Sequence, residues 1–349
     1  MSKLPFAGVL VGILLCIWGS TYGANSSGGN NGCAGTGHLS PPTHTARYLQ
    51  ALTSGGLMPN WSQGRLSQVA GPSAPGTVDV YDREGQRLFQ ALIRFPGLSG
   101  VMVFEAAPLA SGLLASGHAY KDQLLVNFIA KTDDSGTVAE LIPTGQFMAT
   151  RMCGQSDDTI WAFGRDITKE RENQSYFMLR QYSPEGALLH GYLSRDSVAI
   201  NTHGVVSGGG RTGSYLNCGV NVISLYLNQS DEFVQVNTAQ DRVQRWHMDM
   251  TVLPEGKVNG LGLLSNGCTY ASLHAEVYGK SDAWGLYVLQ VEAGKEQGSW
   301  IPLTDTVHSR KWNEEPASNS FWNLRGAEGD ELIIKRYIYG GEFQWVRAY

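Results

Sequence analysis

Six times along this 349-residue chain, a short apolar segment with strand character runs into a glycine. The six segments are residues 66–71, 113–117, 148–154, 215–219, 261–267 and 321–326. Their final glycines lie on average 51 residues apart, and further strand-like sequence follows each of them. A strand-based repeat of this length predicts an all-β fold in which similar units are arranged around an axis.

A predicted β-hairpin follows each repeat glycine. In the first repeat, residues 77–82 alternate between apolar and polar side chains, a turn contains Gly85, and residues 87–94 return as a second strand. A fourth strand, at the outer edge of the repeat, is predicted at 101–105, 188–194, 242–248 and 299–303, whereas the second repeat shows no clear outer strand. Four strands per repeat is the composition of a β-propeller blade.

The two ends of the chain are predicted to complete one blade together. The last repeat has only three strands, and an unassigned segment at 46–52 precedes the first repeat glycine. A strand from the N-terminal side would cover the exposed edge of the last sheet and close the ring. We therefore expect 46–52 to be the outer strand of blade six in a six-bladed propeller with four-stranded antiparallel blades. Five and seven blades are the alternatives.

The chain resembles secreted bacterial six-bladed β-propellers whose hairpins follow the pattern V-x-V-x-D-x-x-G. The clearest copies of that pattern are residues 78–85 and 179–186. The resemblance is at the level of the repeat and covers 46–349. Similar propellers are binding scaffolds, lactone or ester hydrolases, lyases and oxidoreductases, so the resemblance implies a fold without implying one function.

The N-terminal region has the composition of a secretory signal. Lys3 precedes an apolar run of fifteen residues, and small residues follow up to Gly23. We predict a signal peptide at 1–23, a flexible Gly/Asn/Ser/Pro linker at 24–45 and a single propeller domain at 46–349. Removal of the signal would leave a secreted protein, extracellular or periplasmic, without a stable membrane span. An uncleaved anchor is the alternative.

Four cysteines follow the predicted signal, at Cys33, Cys153, Cys218 and Cys268. Cys153 and Cys218 each precede a repeat glycine, and Cys268 follows one, so we expect these three at similar heights in successive repeats. Bridges between neighbouring repeats are predicted in an oxidising compartment, with buried free thiols as the alternative. The spacings match no zinc motif, and no metal or other cofactor is predicted.

Charge and motif content disfavour several function classes. The net charge is −5 without a cluster of Lys and Arg, so nucleic acid is not an expected partner. The chain has no GxSxG elbow, no HExxH and no DxDxDG loop. These absences favour a non-catalytic binding or scaffold module over an enzyme. The alternative is a hydrolase or related enzyme with an axial active site that includes His118 and Arg325.

Two regions are candidate binding sites for an unidentified protein, carbohydrate or small ligand. The first is the axial channel, where the repeat register places His118, Gln155, Asn217, Asn266 and Arg325. The second is the long loops between blades, since loops on a rigid scaffold often carry binding residues. The candidates in these loops are Arg211, His308 and Trp312.

Overall fold

The protein is a ring of six four-stranded antiparallel β-sheets. A computed structural model describes residues 33, 40–48, 60–70, 74–142, 144–198, 214–228, 230–247, 256–275, 286–291, 299–302, 322–336 and 342–347. Within these residues, helix is limited to α1 (Ile167–Arg171) and one 3₁₀ turn (Arg195–Ser197). The prediction of six blades is therefore confirmed, and the alternatives of five or seven blades are excluded.

The strands follow one another in chain order from blade to blade, except that the first strand belongs to the last blade. Strand β1 is His44–Arg47. Blade 1 comprises β2 (Asn60–Ser62), β3 (Arg65–Val69), β4 (Thr77–Tyr81) and β5 (Arg87–Leu92). Blade 2 comprises β6 (Ser99–Leu109), β7 (Gly112–Lys121), β8 (Leu124–Thr132) and β9 (Val138–Ile142). Blade 3 comprises β10 (Phe147–Gly154), β11 (Ile160–Asp166), β12 (Phe177–Tyr182) and β13 (Leu188–Ser194).

The second half of the chain repeats this arrangement. Blade 4 comprises β14 (Tyr215–Cys218), β15 (Val222–Leu227), β16 (Glu232–Asn237) and β17 (Arg242–His247). Blade 5 comprises β18 (Gly256–Leu263), β19 (Thr269–Ala275), β20 (Leu286–Val291) and β21 (Ser299–Pro302). Blade 6 comprises β22 (Trp322–Glu328), β23 (Glu331–Arg336) and β24 (Glu342–Arg347), with β1 at its outer edge.

The first strand of each blade is the innermost one. Strand β2 contacts β6, and the contacts continue through β10, β14, β18 and β22 back to β2, which closes a ring of six strands. Each following strand lies one step farther from this ring, as the strand order in every sheet requires. The channel around the axis is therefore surrounded by these six inner strands.

The hydrophobic core consists of six layers, one between each pair of neighbouring blades. Between blades 3 and 4, Trp161 and Phe163 pack with Ile223 and Val234. The other layers have the same composition of apolar side chains from two adjacent sheets. Each sheet is covered on both faces, which explains why many strands read as continuous apolar runs instead of alternating ones.

The predicted closure by an N-terminal strand is confirmed. Strand β1 pairs antiparallel with β24, with Ala46 opposite Phe343. This strand starts two residues before the predicted segment at 46–52, and residues 49–52 lie outside the described residues. Just before β1, Ser40 accepts a hydrogen bond from the Arg347 amide on its Oγ at 2.8 Å and donates its own amide to the Arg347 carbonyl at 2.8 Å. The edge of β24 is therefore covered.

The predicted strand register is correct for blades 3 to 6 and wrong for blades 1 and 2. In the later blades, the segment that ends at the repeat glycine is the innermost strand. In blades 1 and 2, the segment that ends at the repeat glycine is the second strand, because β2 and β6 are the innermost strands of these sheets. Residues 101–105, predicted as the outer strand of blade 1, belong to β6, the innermost strand of blade 2. First and second strands are both buried and apolar, so hydrophobicity alone did not distinguish them.

Two disulfide bonds join parts of the chain that are distant in sequence. Cys153 on β10 is bonded to Cys218 on β14, with their Cα atoms 5.7 Å apart, which confirms a bridge between neighbouring blades. Cys33 is bonded to Cys268 after β18, with a Cα separation of 5.6 Å, and so attaches the N-terminal segment to blade 5. Disulfides persist in oxidising environments, so the protein is suited to an exported location. Within the described residues, no helix has the length and apolarity needed to cross a bilayer.

Candidate functional site

A cavity lies at the propeller axis, and every blade contributes to its wall. Its volume is about 40 Å³, and its lining residues are Asn60, Glu105, Arg151, Tyr215, Leu216, Asn217, Leu261, Leu324 and Arg325. They come from β2, β6, β10, β14, β18 and β22. Since Tyr215 and Asn217 are only half-buried, the cavity is reachable from solvent.

β-bulges place the charged residues in this wall. The pairing register shifts between Val103 and Glu105 in β6 and between Ala149 and Arg151 in β10. A third shift, in β22, has Arg325 itself as the extra residue. Because an extra residue breaks the two-residue alternation of side chains, a bulge redirects the residues near it. Bulges in three inner strands therefore accompany the three charges that line the cavity.

Glu105 and Arg151 form the central polar pair of the site. The Nη1 atom of Arg151 lies 3.4 Å from Glu105 Oε2, and Asn60 Nδ2 donates a hydrogen bond to Glu105 Oε1 at 3.3 Å. Arg151 is held further by the backbone, since its Nε donates to the Ser214 carbonyl and its Nη1 to the Thr150 carbonyl, both at 2.6 Å. These contacts fix the guanidinium in one orientation.

The Glu105 carboxyl is poised to titrate near neutral pH. Burial raises its pKa to about 7, while the charge of Arg151, the hydrogen bond from Asn60 and the charge of Arg325 act in the opposite direction. Removing a carboxylate from water is costly, and contacts of 3.3 to 3.4 Å compensate for only part of that cost. At neutral pH the carboxyl therefore exchanges readily between its charged and neutral forms.

Two predicted site residues, Asn217 and Arg325, line the cavity. Asn217 Nδ2 donates to the Leu261 carbonyl at 3.1 Å and so links blade 4 to blade 5. Arg325 is buried on β22. Lys335, on the neighbouring strand, is almost fully buried, and burial lowers its pKa to about 6. Because Lys335 is mostly uncharged at neutral pH, the positive charge in this region comes mainly from arginine.

The other predicted axial residues lie elsewhere. Gln155 is buried next to the Cys153–Cys218 bridge, where its Nε2 donates to the Gly219 and Val220 carbonyls at 2.9 Å each. His118 is on β7, a second strand, where it packs edge-on against the ring of Phe104.

The remaining predictions concern a turn and the long loops. Asn266 lies in the exposed turn after β18, and its Oδ1 accepts a hydrogen bond from the Cys268 amide at 2.9 Å. The loop candidates Arg211, His308 and Trp312 lie outside the described residues.

The sequence reasoning missed Asn60, Glu105, Arg151 and Tyr215 as lining residues. A signal for two of them was present, because Glu105 and Arg151 are each the single charged residue of their strand. Charged residues are rarely buried without a specific partner. In the described part of the chain, no three His, Cys, Asp or Glu side chains are grouped closely enough to hold a metal ion.

Comparison with known proteins supports the fold. No protein-family model and no curated protein sequence matches the chain. The structure of U3-55K aligns with a TM-score of 0.50 and 9% identity over 85% of this chain and 79% of that one. The RRP9 WD40 repeats align with a TM-score of 0.50 and 8% identity over 86% and 79%.

A putative exported protein from Bacteroides fragilis aligns with a TM-score of 0.47 and 7% identity over 91% of this chain and 98% of that one. At such low identity, structural similarity concerns the fold alone. The fold and its axial cavity define the protein as a six-bladed β-propeller with a small charged cavity at its centre.

Proposed function

We propose that the protein is a secreted, non-catalytic binding propeller, extracellular or periplasmic, that holds a small polar ligand in its axial cavity. The observation that supports this proposal is the cavity wall, to which all six blades contribute and in which Arg151 is fixed by backbone carbonyls. Polar groups that are held in place before a ligand arrives bind it at a lower entropic cost.

A scaffold role for the inter-blade loops belongs to the same proposal. The loop residues Arg211, His308 and Trp312 are candidates for contacts with a protein or carbohydrate partner. An aromatic side chain among charged ones is a frequent anchor in such contacts. Binding at the axis and binding at the loops are separable by mutation.

The axial proposal is testable with a ligand screen on three forms of the disulfide-bonded protein. A panel of organic acids, amino acids, sugars and nucleotides is tested for an increase in Tm. The forms are wild type, Asn217→Leu in the cavity wall, and Asn221→Leu in an exposed turn as the matched control. Axial binding predicts a ligand that raises Tm in wild type and control but not in Asn217→Leu. A ligand that acts equally on all three forms would place binding elsewhere.

One observation favours a second candidate function, a hydrolase with an axial active site. A carboxyl with a pKa of about 7, such as Glu105, is suited to general acid or base chemistry at neutral pH. His118, predicted for such a site, lies on β7 instead of an inner strand. Turnover of an ester or lactone panel by wild type, lost in Glu105→Gln, would support this alternative over pure binding.

A further inference from the structure

The charges that line the axial cavity are mainly positive. Arg151 reaches the wall from β10 and Arg325 from β22, while Glu105 on β6 is the one acidic group among the lining residues that the structure describes. Asn60 on β2 donates a hydrogen bond to Glu105, and the charges of Arg151 and Arg325 act on its carboxyl. The ring of Tyr215 on β14 lies against the Arg151 guanidinium.

Arg151 retains capacity to bind an anion. Its Nε and Nη1 atoms donate to backbone carbonyls, and Nη1 lies at the long distance of 3.4 Å from Glu105 Oε2. Within the part of the chain that the structure describes, Nη2 makes no hydrogen bond. The two N–H groups of Nη2 can donate to an anion, and such charge-assisted hydrogen bonds are about twice as strong as neutral ones.

The cavity size restricts the ligand to a small group. One water needs roughly 10–15 Å³ on the same measure of volume, so a cavity of about 40 Å³ has room for about three waters. A carboxylate group, with three heavy atoms, fits this space, whereas a sugar ring or a nucleobase does not.

Resting on the axial binding proposed above, we propose that the cavity binds the carboxylate group of a small organic acid between Arg151 and Arg325, and that Glu105 takes up a proton from solvent as the anion enters. The proton stays on the Glu105 carboxyl. Two carboxylates close together in a buried site do not both remain ionised, because their repulsion raises the affinity of one for a proton.

The pH dependence of binding follows from this coupling. In the protein without a bound anion, Glu105 has a pKa of about 7, so its carboxyl is mostly neutral at pH 6 and mostly ionised at pH 8. Binding that requires the neutral form weakens about tenfold between those pH values. Proton uptake per bound anion is expected to rise from about 0.1 at pH 6 through about 0.5 at pH 7 to about 0.9 at pH 8.

Calorimetry on the full, disulfide-bonded protein tests the proposal with acetate as the probe. Acetamide is the neutral isostere, and inorganic phosphate is the more highly charged oxyanion. Titrations at pH 6, 7 and 8 in buffers of different ionisation enthalpy give both Kd and the number of protons taken up. We expect acetate to bind with the stated pH dependence, acetamide not to bind, and phosphate not to bind more tightly than acetate.

Three variants test which residues bind the anion and which one takes up the proton. Glu105→Gln mimics the protonated carboxyl and should keep acetate binding while abolishing its pH dependence. Arg325→Gln should weaken acetate binding about tenfold to hundredfold, the range for a lost charge-assisted hydrogen bond. Arg87→Gln, on the exposed surface of β5, is the matched control and should bind as wild type does. Circular dichroism and the urea midpoint verify that each variant is folded.

The possible failures are distinguishable. Equal binding of acetate and acetamide, acetate binding without proton uptake by wild type, or tighter binding of phosphate would each overturn the carboxylate assignment. The number of protons taken up is measured on wild type, so it tests the carboxylate assignment even if Arg325→Gln does not fold. If acetate does not bind but another ligand is lost in Asn217→Leu, this inference is wrong and axial binding stands. If no ligand responds to Asn217→Leu, axial binding is also wrong.

Discussion

The buried carboxyl of Glu105 predicts a pH-dependent penalty on stability, which Glu105→Gln should remove. Its pKa is 4.5 in the absence of perturbation and about 7 in the folded protein, mainly because of burial. Between these two values the folded state binds more protons than the unfolded state, so this carboxyl lowers the free energy of unfolding as pH rises. One pKa unit corresponds to about 1.4 kcal/mol, which gives a loss of about 3 kcal/mol between pH 4 and pH 8.

Urea unfolding with intact disulfides measures this effect. The difference in unfolding free energy between Glu105→Gln and wild type should shift by about 3 kcal/mol in favour of the variant from pH 4 to pH 8, with most of the change between pH 4.5 and 7. Taking the difference cancels the titration of carboxyls common to both proteins. Glu84→Gln, in the exposed turn after β4, is the control and should differ from wild type by less than about 0.5 kcal/mol at every pH. A pH-independent difference for Glu105→Gln would refute the reasoning, and a shift of opposite sign would mean that the ion pair with Arg151 outweighs burial.

Further predictions concern the framework that holds the cavity. Replacing Cys153 and Cys218 with alanine opens a loop spanning 65 residues and should lower the unfolding free energy by about 4 kcal/mol in urea titrations, whereas unchanged stability would argue against an entropic role. Gln155→Ala removes three hydrogen bonds, one of them from a buried tryptophan, and should cost about 2 to 3 kcal/mol by the same assay, whereas unchanged stability would contradict the role of these bonds. Gly117→Ala would bring a Cβ within 1.9 Å of the Met102 carbonyl oxygen, so a clear drop in Tm is expected, and an unchanged Tm would contradict this packing. Deleting the chain through β1 exposes the edge of β24 and should cause concentration-dependent association in analytical ultracentrifugation, and equal association of the undeleted chain would contradict this role of β1.

Much of the fold was predictable because its signals are local in sequence. The hairpins at 78–85 and 179–186 carry their turn residues with them: Gly85 and Gly186 both adopt positive φ, at 84° and 82°. The closure by an N-terminal strand followed from counting strands in the last repeat. A bridge between neighbouring repeats followed from the similar heights of Cys153, Cys218 and Cys268, whereas the choice of Cys153 and Cys218 as partners came from the structure.

The site was less predictable, because its residues meet only through the ring. Asn217 and Arg325 were identified from their positions near repeat glycines. Glu105 was missed because its strand was assigned to the outer edge of blade 1 instead of the inner edge of blade 2. Arg151 was missed because the bulge after Ala149 changes its side-chain direction, which strict alternation does not anticipate.

The sequence alone determined the repeat of apolar strands, the four strands per blade and the positions of the bridging cysteines, since each depends on the order of residues over a short range. The tertiary structure decided which strand of each blade lies at the axis and which charges share the cavity. Those properties depend on contacts between blades that are distant in sequence and on bulges that appear only once the strands pair. The environment of Glu105 depends on such contacts, because its polar partners, Asn60 on β2 and Arg151 on β10, come from other blades.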